Sequence, residues 1–183
     1  MLEKQQIRRE IMQKRRHLAA DDRHAAAQAL ANHVAQTPQL FANKVIALFS
    51  PIKDEIDLTP LHQALKPQAG IMALPCVMHD EVMVFKAWDG QHTKPDNINI
   101  PTGTGDEVVP DVVFVPFLGF NRACHRLGYG AGYYDKTLVG LPMAHTIGLG
   151  FSVQEYANIP VELHDVPLNE IWTEKERIYA PKN

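Results

Sequence analysis

The feature that most restricts the fold is a set of short, almost uninterrupted apolar runs. The clearest is VVFVP at residues 112–116, in which no polar residue alternates with the apolar ones. A run of this kind is typical of a strand covered on both faces, because a strand with one wet face alternates apolar and polar side chains. KVIALFS (44–50) is also predicted as a buried strand, and HTIGLGF (145–151) as a further strand.

Helical segments separate these strands along the chain. We predict helices at residues 3–18, 21–36, 58–66 and 132–139. We predict further strands at 71–75 and 82–88, an edge strand or hairpin at 170–179, and a loop at 89–111. Because helices alternate with short strands, we expect an α/β fold with an open, mostly parallel sheet layered by helices. The chain has 183 residues, 45% of them hydrophobic, and no repeat or linker divides it, so we expect one domain at 1–183.

Charge is distributed unevenly along the chain. Residues 1–16 carry six Lys or Arg and two Glu, a balance of +4. Since the whole chain has a net charge of −3, the other 167 residues sum to −7. A basic helix on an acidic body suits a small anionic ligand better than a long nucleic-acid track.

The sequence shows no targeting or membrane segment. It is charged from Glu3 onward, which excludes a signal peptide, and it contains no apolar run of about 18 residues. Cys76 and Cys124 lack metal-binding or redox spacing, so we expect buried bystander thiols. We therefore expect a cytoplasmic protein that binds neither membranes nor nucleic acid, and we expect a monomer.

RLGYGAGYYDKTL, at residues 126–138, is the stretch that most suggests a ligand. It lacks the GxxxxGK[ST] of a Walker A loop, and Gly128 comes twelve residues after Pro116 rather than directly after the strand, as a dinucleotide fingerprint requires. Successive glycines can present a nest of backbone N–H groups to an anion, and a helix starting near Gly132 would add its positive end.

The neighbours of the glycines leave two alternatives open. Arg126 is close enough in sequence to join a phosphate, and Asp135 is either a helix cap or a ligand for Mg²⁺. The tyrosines offer flat faces to an aromatic ring, whereas in the alternative they only pack on the core beneath a flexible loop. They are Tyr129, Tyr133 and Tyr134.

The first helix carries its cations in two groups. At about 100° per residue, Lys4, Arg8 and Arg15 fall within roughly 40° of each other, beside the apolar stripe of Ile7, Ile11 and Leu18. That position favours Lys4 and Arg8 reaching over a cleft toward phosphate. The remaining cations point away, and we expect them to be solvated: Arg9, Lys14 and Arg16.

An acidic turn follows the first strand. FSPIKDEIDL (49–58) places Asp54, Glu55 and Asp57 beyond the strand end, where ligands of open α/β sheets bind. We expect Asp57 to cap the helix at 58–66. Glu55 is the better candidate for a ligand, because apolar Ile56 beside it anchors the turn.

Together these three stretches resemble the 5-formyltetrahydrofolate cyclo-ligase family, whose members are also called 5,10-methenyltetrahydrofolate synthetases. The family's KxxxR is matched by Lys4 and Arg8, its DEI turn by residues 54–56, and its signature RLGxGxGYYD by residues 126–135 without a gap. In the family, basic residues can stand at the positions of Tyr129 and Ala131. The order of helices and strands also fits, so the resemblance covers essentially the whole chain.

The resemblance implies roles for residues of all three stretches. It implies ATP contacts at Lys4, Arg8, Arg126, Leu127, Gly128, Tyr129, Gly130, Ala131, Gly132, Tyr133 and Tyr134. It implies folate contacts at Ser50, Glu55, Tyr129, Gly130, Ala131, Gly132 and Tyr133. It implies magnesium binding by Asp135 and Asp165, and catalytic roles for Lys4, Arg8 and Tyr133. The family often has Asp where Asn121 stands, and no role is drawn from that position.

The reaction implied is the conversion of 5-formyltetrahydrofolate and ATP into 5,10-methenyltetrahydrofolate, ADP and phosphate, with Mg²⁺. The formyl oxygen passes to the γ-phosphoryl group, so no enzyme nucleophile is needed, in keeping with the absence of a Ser/His/Asp or Cys/His arrangement in these motifs. The fold implied is the open α/β type shared with some sugar-phosphate isomerases and CoA-transferases, which alone does not fix function.

Three other functions stay open at this point. A sugar-phosphate isomerase on the same fold would need a base and no ATP, and it leaves the basic helix unexplained. A nucleic-acid-binding protein would use helix 3–18, against the acidic charge of the remainder. A folate-binding protein without turnover would use the same residues as the enzyme.

Overall fold

A computed structural model describes residues 2–80, 82–162 and 165–181. These residues form four α-helices, two short 3-10 helices at 38–40 and 152–154, and twelve strands. The helices are α1 (Leu2–Arg16), α2 (Ala20–Val34), α3 (Thr59–Leu65) and α4 (Tyr133–Val139). The strands are β1 (Val45–Ala47), β2 (Ile71–Val77), β3 (Met83–Trp88), β4 (Thr93–Pro95), β5 (Pro101–Gly103), β6 (Glu107–Val108), β7 (Val112–Pro116), β8 (Gly119–Phe120), β9 (Arg126–Leu127), β10 (His145–Leu149), β11 (Glu170–Trp172) and β12 (Arg177–Tyr179).

Eight strands form the central sheet, in the order β12-β11-β10-β7-β1-β2-β3-β6. The five strands from β11 to β2 run parallel. Strands β12, β3 and β6 pair antiparallel with their neighbours at the two flanks. The predicted open, mostly parallel α/β sheet is therefore confirmed.

Strand β7 shows that both faces of the sheet are covered. Val112 and Phe114 belong to a core cluster that includes side chains of α2 and α3. Val113 and Val115, which point to the opposite face, belong to a second cluster with Leu138 of α4. All four are at most 1% exposed, which explains why the run contains no polar residue.

The structure corrects two of the predicted segments and confirms a third. Strand β1 is shorter than the predicted 44–50, although Leu48 and Phe49 beyond its end remain buried. The stretch 89–111 is not only a loop, because it contains the antiparallel pair β4–β5 and strand β6. Polar, exposed β4 lacks the alternation that marks a strand, and the pairing of β5 with β4 is visible only in three dimensions. The segment 170–179 is a hairpin, with β12 at the sheet edge.

A small hairpin lies between β7 and residues 128–132, which we call the glycine loop. Strands β8 and β9 pair antiparallel, and their turn is held by Asn121, whose Oδ1 accepts from the backbone N–H groups of Ala123 and His125 at 3.1 Å each. Asn121 therefore has a structural role. The hairpin connects β7 in the core of the sheet to the glycine loop, which lies beyond the C-terminal ends of the strands.

The C-terminal ends of the central parallel strands lie side by side, along one edge of the sheet that is perpendicular to the strands. Strands β1, β7 and β10 are parallel neighbours, so their C-terminal ends lie together. The acidic turn follows β1, the hairpin and glycine loop follow β7, and segment 150–162 follows β10. Open α/β sheets bind ligands at such an edge.

Two further properties concern the whole described chain. Cys76 and Cys124 are buried and free, as expected of bystander thiols. In the residues described, every helix is too short or too polar to cross a membrane.

Candidate functional site

Helix α1 is docked on the β8–β9 hairpin by a small apolar cluster. Ile7 and Ile11 of α1 are buried with Leu127 of β9 and Ile159. Gly119 of β8 makes the approach possible, since a Cβ on it would lie 2.4 Å from Ile11 Cδ1. This contact fixes which face of α1 turns toward the glycine loop.

Arg8 reaches the glycine loop from α1. Its Nε donates a hydrogen bond to the carbonyl of Gly128 at 2.9 Å. Gly130 has φ 113°, a conformation that L side chains rarely adopt, and a Cβ there would lie 3.5 Å from Arg8 Nη2. The loop therefore approaches the Arg8 guanidinium closely.

Lys4, one turn earlier, faces the segment after β10. Its Nζ lies 2.8 Å from Glu162 Oε1 and 3.5 Å from Asp165 Oδ2. Burial would lower the pKa of Lys4, but the hydrogen bond to Glu162 and the charges of Asp165 and Glu162 raise it overall. Lys4 therefore stays a cation next to two carboxylates.

Arg126 and Asp135 form an ion pair across the glycine loop. Arg126 Nη2 donates to Asp135 Oδ1 at 2.5 Å, and Nη1 donates to the carbonyl of Val166 at 3.1 Å. Burial lowers the pKa of Arg126, and the charge of Asp135 opposes that shift. Helix α4 has Gly132 at its N-cap and no side-chain cap, so the cap alternative for Asp135 does not hold.

The backbone of the glycine loop offers hydrogen-bond donors. Among the described residues, none accepts a hydrogen bond from the backbone N–H groups of residues 128–132. Gly130 and Gly132 have positive φ (113° and 73°) on either side of Ala131, and such an alternation of backbone conformation is the pattern of an anion-binding nest. Helix α4 is only seven residues long, so the loop rather than the helix dipole provides most of the attraction for an anion.

Glu55 meets the glycine loop through Tyr129. The Tyr129 hydroxyl donates to Glu55 Oε1 at 2.7 Å, and the Ile52 N–H donates to Oε2 at 2.9 Å. Burial raises the pKa of Glu55, while these two hydrogen bonds and the charges of Arg15 and Lys53 oppose the rise. Lys53 Nζ also lies 5.9 Å from the centre of the Tyr129 ring. The acidic turn and the glycine loop therefore share one site.

Four other residues singled out in the sequence make contacts elsewhere in the fold. The Ser50 hydroxyl donates to the carbonyl of Pro101 in β5 at 2.5 Å. Tyr133 and Tyr134 pack against the core cluster beneath α4, as in the core-packing alternative, and the Tyr134 hydroxyl is buried without a hydrogen-bond partner among the described residues. Asp57 accepts from the Thr59 N–H at 2.9 Å at the start of α3, the capping role predicted for it.

Sequence reasoning missed two arginines at the site. Arg15 is 2% exposed, and its Nη2 donates to the Tyr129 hydroxyl at 3.1 Å. The signal was present, since Arg15 shares the face of α1 with Lys4 and Arg8. Arg23 of α2 donates to the carbonyl of Asp54 at 3.0 Å and to that of Arg15. Nothing in the local sequence distinguishes Arg23 from a solvated helix residue.

Two acidic side chains of the site, Asp135 and Asp165, are candidate magnesium ligands. Within the described residues, no three His, Cys, Asp or Glu side chains are grouped as a metal site. Asp135 and Asp165 each face a cation instead, Arg126 and Lys4, and the charges of both carboxylates act on Arg126. Mg²⁺ is usually held by one or two carboxylates together with phosphates and water. The donor set therefore fits a Mg²⁺ ion that arrives with a nucleotide.

The chain is similar to known proteins over almost its whole length. A sequence profile of the 5-formyltetrahydrofolate cyclo-ligase family matches residues 1–174. The 5-formyltetrahydrofolate cyclo-ligase of Haemophilus influenzae is 32% identical over 180 residues, covering 92% of this chain and 96% of the relative.

Two solved structures share the fold. The 5,10-methenyltetrahydrofolate synthetase of Aquifex aeolicus superposes with a TM-score of 0.83 at 25% identity, covering all of this chain and 95% of the other. That of Mycoplasma pneumoniae superposes with a TM-score of 0.76 at 26% identity, covering 93% of this chain and 98% of the other. The chain described here belongs to the 5-formyltetrahydrofolate cyclo-ligase family.

Proposed function

We propose that the chain catalyses the ATP- and Mg²⁺-dependent cyclisation of 5-formyltetrahydrofolate to 5,10-methenyltetrahydrofolate, with release of ADP and phosphate. The family and the names of its relatives support the overall reaction. One structural observation carries the ATP-dependent form. Arg8, Arg126 and the N–H groups of residues 128–132, which have no acceptor among the described residues, lie together, and Tyr129 joins them to Glu55.

The chemistry needs an activated oxygen. The N5-formyl group is an amide, so N10 cannot expel its oxygen directly. The formyl oxygen attacks the γ-phosphorus, and the bond from that phosphorus to ADP breaks. N10 then attacks the formyl carbon and loses its proton, and the oxygen leaves as inorganic phosphate. The steps use no protein nucleophile, so catalysis depends on positioning and charge stabilisation.

Each residue of the site has a role in the proposed reaction. The N–H groups of the glycine loop and Arg126 hold the phosphates, and Arg8 and Lys4 neutralise the transferred group. Lys4 would exchange its carboxylate partners, Glu162 and Asp165, for a phosphate when the nucleotide binds. Asp135 and Asp165 would hold Mg²⁺, which would supply charge neutralisation and orientation.

Glu55 is the proposed folate-recognition residue. An ionised carboxylate offers about four lone-pair sites, and Tyr129 and Ile52 occupy two of them. The remaining sites can accept from the N–H donors of the pterin ring. Ser50, Tyr133 and residues 129–132 are assigned by resemblance to the folate contacts, and Leu127 and Tyr134 to the ATP contacts. We also propose that the protein is a monomer in the cytoplasm.

The test is to combine the purified protein with ATP, Mg²⁺ and 5-formyltetrahydrofolate carrying oxygen-18 in the formyl group. We expect methenyl absorbance to develop only when all components are present, with one ADP per ring closed and the label in inorganic phosphate. A label that stayed in the folate or passed to water would exclude the phosphorylated intermediate. Folate binding without any absorbance change would instead support a binding protein.

A further inference from the structure

Arg15 holds a charge that the proposed chemistry does not use. It is 2% exposed, and its Nε and Nη1 are buried with no hydrogen-bond partner among the described residues. Its remaining terminal nitrogen, Nη2, donates to the neutral hydroxyl of Tyr129. A buried guanidinium without a direct carboxylate partner destabilises a fold, so a compensating interaction is expected nearby.

The compensating group is Glu55, on the far side of Tyr129. The phenol oxygen accepts from Arg15 at 3.1 Å and donates its proton to Glu55 Oε1 at 2.7 Å. Burial and the charge of Glu55 raise the pKa of Tyr129, so the phenol keeps the proton that it donates. One continuous hydrogen-bonded chain therefore joins a cation of α1 to the carboxylate of the acidic turn.

Arg23 holds the two ends of this chain in place. It donates to the backbone carbonyl of Arg15 at one end and to that of Asp54, next to Glu55, at the other. The distance between the cation and the carboxylate is therefore set by helix α2 as well as by Tyr129. Such double fixing is expected where a charge must act at a fixed position.

We propose that Arg15 is a positioning residue that acts through Tyr129 to keep Glu55 ionised and correctly oriented for recognising the N–H donors of the substrate. This inference rests on the proposed function for its substrate, but not for the Arg15–Tyr129–Glu55 chain itself. The other charged or titratable groups that face Glu55 are Lys53 from its own turn and Tyr134 from α4, and neither is hydrogen-bonded to it. Arg15 opposes the effect of burial on the carboxylate.

The experiment is a pH profile of kcat/KM for the folate substrate in Arg15→Met, Tyr129→Phe and the double variant. Without the Arg15 cation, less opposes the effect of burial, which raises the pKa of Glu55. The acid limb of the pH profile of Arg15→Met should therefore move to higher pH. The KM for folate should rise about tenfold on that limb, with the KM for ATP unchanged. Arg15→Met should add less when Tyr129 is already Phe, because the two residues act in series.

Two controls make the result specific. Arg16→Met removes the same charge from the next position of α1, where the side chain is exposed and pairs with Asp54 at 3.4 Å. Arg16→Met should leave the acid limb of the pH profile where it is in the wild type. Arg15→Lys keeps the charge, so its pH profile should stay close to that of the wild type. An unmoved limb in Arg15→Met, or an equal movement in Arg16→Met, would overturn the proposal.

A second measurement does not depend on turnover. The carboxyl carbon of Glu55, labelled with carbon-13 and assigned with Glu55→Gln, can be titrated by NMR in the wild type, Arg15→Met and Tyr129→Phe. Its pKa should be higher in both variants than in the wild type. If the wild type shows no cyclisation, the proposed function fails while this titration still decides the role of Arg15. Equal titration curves in wild type and Arg15→Met would reject that role.

Discussion

At the scale of single residues, the site is built from cations that already have acidic or carbonyl partners. Arg126 is paired with Asp135, Lys4 with Glu162 and Asp165, and Arg8 with a carbonyl of the glycine loop. Such partners hold the three cations in place before a ligand binds, and in the proposed function a phosphate would replace them with little rearrangement. Because of this arrangement, an acidic residue has both a proposed role in catalysis and a role as the partner of a cation, and substitutions can separate the two.

Asp135→Asn should lower kcat about a hundredfold, because in the proposed function this carboxylate holds the Mg²⁺ that neutralises the charge developing on the phosphate. It should also reduce stability by up to about 3 kcal/mol, because Arg126 loses its anionic partner. Activity as a function of Mg²⁺ concentration and thermal unfolding measure the two effects. Glu176→Gln, which breaks an exposed pair with Arg122, is the control and should change neither. Unchanged activity at saturating Mg²⁺ would leave Asp135 only a partner for Arg126.

Lys4→Ala and Arg8→Ala should each weaken ATP binding about tenfold or more, since each removes one charge-assisted contact to phosphate. Arg9→Ala should have little effect, because Arg9 is exposed on the opposite side of α1. Isothermal titration with ATP and Mg²⁺ measures the affinities. Equal losses from all three substitutions would show that α1 acts through general charge rather than through aimed side chains.

At the scale of elements, helix α1 is the part of the fold that carries the cations to the site. It packs on the β8–β9 hairpin through a small apolar cluster, in which Gly119 of β8 lies directly against Ile11. The same helix presents Lys4, Arg8 and Arg15 along one face, so a small displacement of α1 would move all three together. In the proposed function, the position of α1 therefore sets the positions of all three cations.

Gly119→Ala should displace α1, because the added Cβ would lie 2.4 Å from Ile11 Cδ1. We expect a loss of stability of about 1–3 kcal/mol and weaker ATP binding. The double variant Gly119→Ala with Ile11→Val removes the clashing atom and should recover part of both losses. Gly140→Ala is the matched control, since its Cβ would lie 3.4 Å from the nearest atom. A Gly119→Ala variant with wild-type ATP affinity would show that α1 tolerates the shift.

At the scale of the whole molecule, one buried carboxylate joins the last three strands of the sheet. Glu170 of β11 is 4% exposed and receives hydrogen bonds from Trp172 and Arg177, and His145 of β10 contacts it at 2.7 Å. Burial acts to raise the pKa of Glu170, but these partners lower it overall to about 2. The carboxylate therefore contributes to the stability of the folded chain in a pH-dependent way.

The sign of this dependence follows from the lowered folded pKa. The contribution is fully present above the ordinary value of 4.5 and is lost as pH falls toward about 2. Unfolding by urea should therefore show a loss of about 2 kcal/mol between these pH values. Glu170→Gln should be less stable at neutral pH and should lose less stability over the same interval. An identical pH dependence in both proteins would assign the effect to other carboxylates.

The sequence by itself determined the layered α/β architecture and three of the site's components. Periodicity and apolar runs are local properties, so the central strands and the helices could be predicted to within a few residues. The cation-bearing face of α1, the acidic turn and the glycine loop could be predicted because each is contiguous in sequence, with residue types that favour phosphate or pterin binding.

Only the tertiary structure decided how these components meet. The pairing of Arg126 with Asp135 spans nine residues, but the chain from Arg15 through Tyr129 to Glu55 joins positions separated by up to 114 residues. The local spacing around Arg15 placed it on the right face of α1 without showing that it is buried against Tyr129. The hairpin β8–β9 and the pair β4–β5 were likewise invisible, because their strands are two or three residues long and owe their pairing to neighbours. Packing over long sequence separations, rather than local preference, fixes those contacts, and the proposed chemistry depends on them.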